Sequence, residues 1–150
     1  MPRRLLFPIA VVAVVALAAA RPHPQQDVAG RARAEIPAMM ARSAVHWNAG
    51  QLDAFMADYT DSATFVARKG IIRGRDAIRG VYAARFAPGA QRDSLSFEML
   101  DIDPLGPSTA HVVARYLLHR GDSLTSSGPT SLLMRRSPAG RWRIAHDHSS

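Results

Sequence analysis

The side chains best suited to chemistry stand at the end of the chain, in the stretch Arg141 to Ser150, RWRIAHDHSS. Strict alternation along a strand puts Trp142, Ile144, His146 and His148 on one face and Arg141, Arg143, Ala145 and Asp147 on the other. An apolar face that ends in imidazoles is what a strand presents where it passes from a packed interior to the mouth of a pocket. Imidazole titrates near neutral pH, so His146 is the candidate general base beside a carbonyl. A tyrosine hydroxyl, that of Tyr59, would steady the developing oxyanion. Asp147, on the other face, is expected to pair with Arg143 or Arg115 in a structural role. Histidines two apart also match part of a metal site. No second short-spaced His pair exists and the chain has no cysteine, so neither metal nor cofactor is expected.

The candidate ligand-binding residues are Trp47, Tyr59, Phe65, Tyr82, Phe86, His146 and His148. The aromatics can line a cavity for an apolar or aromatic ligand, and the tyrosines are the better candidates because their hydroxyls need partners. On the strand Thr109 to Arg120, the face Ala110, Val112, Ala114, Tyr116 and Leu118 is the more uniform and should meet the core. His111, Val113, Arg115, Leu117 and His119 then form an outer face that a second copy can cover. Glu98 and Asp101 fall on opposite faces of their strand, so at most one can reach a pocket.

These residues need elements to position them. Ile36, Met39, Met40, Ala44 and Trp47 keep the spacing of one helix face, and Pro37 places the start near Glu35. Asn48-Ala49-Gly50 is the stop. A short second helix buries Leu52, Phe55, Met56 and Tyr59. Ala63 to Arg68 is a strand, Lys69-Gly70 a tight turn, and Ile71 to Arg73 the return. A third helix from Arg75 carries Ile78, Val81, Tyr82 and Phe86, with Gly80 inside it hinting at the close approach of a neighbour. Strands at Leu95 to Ile102, Thr109 to Arg120, Thr130 to Arg136 and Arg141 to His148 follow as a meander. Pro138 to Gly140 as the last loop sets Met134 opposite Ile144 and Leu132 opposite His146, the preferred register; with Ser137 in the loop Arg135 would pair with Trp142 and every face would flip. Helices first and strands afterwards is an α+β pattern.

Composition bounds the rest. A chain of 150 residues, 47% hydrophobic, supports one domain with a real core. The formal charge of +7 comes from scattered arginines beside a single lysine, Lys69, without the basic cluster interleaved with aromatics that nucleic acid requires. Arg3 and Arg4, the apolar run Leu5 to Leu17 and Ala18-Ala19-Ala20 read as a secretory signal over residues 1–20. Cleavage would export the protein to the periplasm or the medium with no membrane association. Residues 21–34 read as a disordered lead-in or helical turn, and 35–150 as the domain.

The ordered set Ala44-Val45-His46-Trp47-Asn48-Ala49-Gly50, Phe55 to Tyr59, Ala63-Thr64-Phe65-Val66, Gly74-Arg75-Asp76-Ala77-Ile78 and Gly140 to Ser150 resembles the SnoaL-like branch of the nuclear transport factor two-like superfamily over residues 35 to 150. The resemblance implies a cone-shaped α+β fold in which three N-terminal helices pack on a curved antiparallel sheet. A pocket would open in its mouth, often in a homodimer. It implies no single activity, because the superfamily holds ketosteroid isomerase-like, dehydratase-like and cyclase-like enzymes beside members that only bind. Gln51 stands where similar sequences carry a helix-capping aspartate, and Asp53 is positioned to compensate. The expected function is an exported small-molecule-binding domain with a conical, largely apolar pocket suited to cofactor-free isomerisation, dehydration or hydration. The alternative is a non-catalytic homodimeric association module that uses the outer sheet face.

Overall fold

A computed structural model describes residues 24–67 and 70–150. The signal expected over residues 1–20, the start of the lead-in, and Arg68 and Lys69 of the expected turn lie outside the described residues. Helix α1 spans Pro24–Asn48, so it begins well before the expected start at Glu35. The reason is burial: Ala32 is fully covered and continues the stripe of Ile36, Met39, Met40, Ala44 and Trp47. Pro37 lies inside the helix, where it forgoes a backbone donor. Ala32 and Ile36, both inaccessible, hold the turn in place around it. The helix therefore runs without a break through residue 35, where the lead-in was expected to end.

Gly50, at φ 75°, ends the first helical segment. Helix α2 is only Leu52–Met56. Tyr59, expected on that helix, instead opens strand β1, Tyr59–Ala67. Strand β2 is Gly70–Arg73, and helix α3, Arg75–Ala83, runs into a single 3-10 turn at Ala84–Phe86. Gly80 has no neighbour within 4 Å of where a side chain would begin, so the expected close approach is absent. Asp53 does not cap α2: its carboxylate takes Arg79 of α3 at 2.8 Å and ties the two helices together.

The meander then runs as β3 Ser94–Gly106, β4 Thr109–Arg120, β5 Ser123–Arg136 and β6 Trp142–Ser149. The expected loop after Arg120 shrinks to a tight turn, because residues 123–129 pair with the end of β4 and lengthen the hairpin. The result is a mixed α+β fold on a curved, unclosed six-stranded sheet in the order β2-β1-β6-β5-β4-β3. It is not wholly antiparallel: β1 and β6 run parallel. Everything from β2 to β5 serves as the long crossover that such a pair requires.

The inner sheet face carries Ala110, Val112, Ala114, Leu132, Met134, Trp142 and Ile144, all buried, as alternation on β4 requires. Two polar anchors hold α1 on this face. Glu35 accepts hydrogen bonds from Arg136 at 3.2 Å and from the Trp142 indole at 2.9 Å. Asn48 donates to the Leu95 carbonyl and accepts from its N–H at 2.7 Å, satisfying backbone of the edge strand β3.

Strand β6 departs from strict alternation. Met134 faces Ile144 as expected, but Leu133 faces His146 and Leu132 faces Asp147. Ala145 is the extra residue of a bulge, and beyond it every side chain changes face. His146 and His148 turn to the outer face, and Asp147 and Ser149 turn inward. This overturns the expected placement of both histidines and of Asp147.

Candidate functional site

A cavity of about 270 Å³ lies between the inner sheet face and α1 and α3. Its covered wall is made by Met40, Ser43, Phe55, Tyr59, Leu132 and Ile144 with Thr130 and Asp147, while its exposed lining residues are Val81, Arg85 and Ser126. Those three mark the mouth. Trp47, Tyr59, Phe65 and Tyr82, four of the expected ligand-binding residues, line the cavity. Phe86 stands behind them, edge-on to Trp47 at 5.1 Å and stacked on Phe55 at 6.2 Å. These rings meet mostly edge to face, the arrangement their quadrupoles favour, so this wall is stiff as well as apolar.

Among the described residues the lining contains one carboxylate, Asp147, and one cation, Arg85. Asp147 is 4% exposed. Its Oδ2 accepts the Tyr59 hydroxyl at 2.7 Å and its Oδ1 accepts the Ser149 hydroxyl at 2.6 Å, with Thr130 at 3.5 Å. Because the single proton of Ser149 is committed to Asp147, Thr130 donates to Ser149 across their 2.6 Å contact. The hydroxyl of Tyr82 meets that of Tyr59, so Tyr82, Tyr59 and Asp147 form one polar file set in apolar surroundings.

Burial sets the electrostatics. It raises the Asp147 carboxyl above the usual carboxylate range, against the hydrogen bonds from Ser149 and Tyr59, the nearby His146 charge and Thr130. Tyr59 is held well above an ordinary phenol, first by burial and then by the negative charge of Asp147. Tyr82 is raised for the same two reasons. Both tyrosines therefore stay protonated donors, and Asp147 is the group of this file whose proton affinity burial raises.

His146 and His148 do not line this cavity. His146 Nδ1 contacts the Thr64 hydroxyl at 2.6 Å across the β1–β6 pair, a structural bond on the outer face. The expected bond from Asp147 to Arg143 or Arg115 is absent, since Arg115 pairs with Glu98 on the outer face at 3.6 Å and Asp147 points inward. Alternation read without a bulge is what hid Asp147. The signal that could have exposed it is the Asp147–Ser149 spacing, an acid followed two residues later by a hydroxyl on the same face. Among the described residues no group of three or more His, Asp or Glu could hold a metal ion.

A protein from Shewanella oneidensis MR-1, described as nuclear transport factor two-like and of unknown function, has the same fold at 27% identity. Its TM-score is 0.69, over 79% of this chain and 98% of that one. A ketosteroid isomerase-like protein from Erwinia carotovora atroseptica SCRI1043 matches at 19% identity and TM-score 0.63, over 80% of this chain and 95% of its own. A protein from Novosphingobium aromaticivorans DSM 12444 named for scytalone dehydratase matches at 18% identity and TM-score 0.67, over 82% and 85%. At such identities these last two likenesses speak for the fold alone. No curated protein matches the sequence. The family model for the SnoaL-like domain matches residues 36–150, and the chain belongs to that family, within the nuclear transport factor two-like superfamily.

Proposed function

We propose that the protein is an exported domain whose cavity binds a small, largely apolar or aromatic molecule. One oxygen of that molecule turns toward Tyr82, Tyr59 and Asp147, and the same cluster moves a proton on it without a cofactor. The observation that carries this reading is the placement of Asp147, an almost fully buried carboxylate hydrogen-bonded by Tyr59 in the wall of an otherwise apolar cavity. A packed interior that served only association would gain nothing from an acid held at the expense of its solvation, which argues against the purely structural alternative. Export rests on the charged and apolar run over residues 1–20.

The chemistry follows from the file of hydroxyls. Ionised Asp147 accepts a proton from the carbon beside a ligand carbonyl, and the C–H electron pair moves onto the carbonyl oxygen. A tyrosine hydroxyl donates to that oxygen as charge builds there. Return of the proton from Asp147 to another carbon completes an isomerisation, and its transfer to a leaving hydroxyl completes a dehydration. The role assigned from sequence to His146 passes to Asp147, and the donor role assigned to Tyr59, whose one proton goes to Asp147, passes to Tyr82.

Thermal unfolding against a panel of aromatic and aliphatic carbonyl compounds tests the proposal. A ligand at one hundred times its dissociation constant adds about 2.7 kcal/mol of stability. The expected result is a hit that Asp147→Asn and Tyr59→Phe weaken and His146→Ala does not. On a substrate that turns over, loss of the tyrosine donor should lower the rate by roughly 100- to 1000-fold. A panel without any stabilising compound would overturn the proposal.

A further inference from the structure

The cavity is electrically asymmetric along its length. At the covered end stands Asp147, an acid among apolar groups; at the open end stands Arg85, whose guanidinium lies 5.9 Å from the centre of the Trp47 ring. Tyr82 lies between them and feels both charges. Arg85 makes no ion pair among the described residues and is exposed. Its neighbour Arg92 stacks on Phe86 at 4.8 Å and spends its N–H groups on the carbonyls of Arg85 and Asn48. Asp93, the nearby carboxylate, is already held by Arg120 at 2.8 Å and by Thr125 at 2.7 Å. The mouth therefore keeps net positive charge, with Asp93 the carboxylate whose field reaches Arg85.

We infer that the ligand of this cavity is an oxo acid: an apolar, ring-sized body whose carboxylate is held at the mouth by Arg85 and whose carbonyl oxygen meets Tyr82 and Tyr59 inside. This rests on the ligand-binding reading above and adds the chemical class and the direction of entry. The reverse orientation would bury a carboxylate beside Asp147, two like charges in a site with little water to screen them. At the mouth the same carboxylate meets a planar donor pair already seated on an indole face, so little of the arginine's freedom is lost on binding.

The test compares 4-acetylbenzoate with 4-methylacetophenone, which differ at the charged group and share the ring and the ketone. Dissociation constants are read by NMR titration at low salt on the whole protein, on Arg85→Gln and on Arg141→Gln. Arg141 is exposed outside the cavity and carries the same charge. The expected result is a preference of about tenfold for the acid, the scale of one charge-assisted hydrogen bond in a half-open site. The ratio of the two constants should fall to near one in Arg85→Gln and hold in Arg141→Gln. Equal binding of both probes to the unaltered protein would overturn the inference and leave the ligand-binding reading intact. So would a preference that survives in Arg85→Gln, or one lost equally in Arg141→Gln, which would mark it as an effect of overall charge. Binding of neither probe would count against the ligand-binding reading itself, and this inference would fall with it.

Discussion

At Asp147 a single side chain joins stability to pH. Its folded-state pKa is raised by burial, so between the unfolded and folded values the native state holds the extra proton. Stability attributable to this group is therefore greatest in acid and is lost as pH rises through the folded pKa, the reverse of a salt-bridged aspartate. Asp58, also buried and also raised by desolvation, contributes with the same sign, so the comparison must be with a variant and not with the bare profile. The expected outcome is that Asp147→Asn gains stability relative to the unaltered protein as pH is raised from about 4 to 8. Urea unfolding at a series of pH values measures it, and parallel profiles would show that the Asp147 carboxyl binds its proton equally in the folded and unfolded states. Tyr59→Phe tests the partner. It removes the 2.7 Å bond to the carboxylate and should cost about 1–3 kcal/mol at pH 7, and less at low pH where a neutral acid needs the donor less.

Among the elements, the two ends of the meander are held by contacts with different tolerances. Glu35 alone receives the indole N–H of the buried Trp142, so Glu35→Ala leaves that donor without a partner and should cost about 1–3 kcal/mol by denaturant unfolding. Gly128 of β5 stands where a side chain would fall on the Ser150 carbonyl and against the Tyr116 ring. Gly128→Ala should destabilise by about 1–3 kcal/mol, whereas Gly80→Ala, in a helix with open space around it, should stabilise by up to about 1 kcal/mol. The contrast shows what the sequence can reveal. Helix α3, the four-strand meander and the inner face of β4 follow from periodicity, because each buries one continuous face. The bulge at Ala145 does not, since alanine fits either side of a strand and carries no mark of an irregular ladder. The N-terminal extension of α1 was hidden by Pro37, where local propensity says stop and the burial of Ala32 overrides it. Tyr59 fitted a helical face in the sequence; only its pairing beside Ile144 shows that it belongs to a strand.

For the whole molecule, the two faces of the sheet divide the labour. The inner face is spent on α1, α3 and the cavity. The outer face of β4 and β5 leaves Val113, Leu117 and Leu133 half-buried, with His111 bonded to Ser131 at 2.8 Å between them. A second copy of the chain is the occupant expected for it from the sequence, and a self-complementary interface would need about 800 Å² from each partner. Sedimentation velocity should then give a dimer, and Val113→Asp should give a monomer with unchanged circular dichroism, because Val113 lies outside the buried core. A monomer in the unaltered protein would remove the second copy as its occupant. If Val113→Asp dissociates the dimer yet still binds the carbonyl ligand, the cavity works within one chain, as expected from its walls, which come from both sides of a single fold. Loss of binding on dissociation would mean that the outer face helps to set the curvature on which the cavity depends.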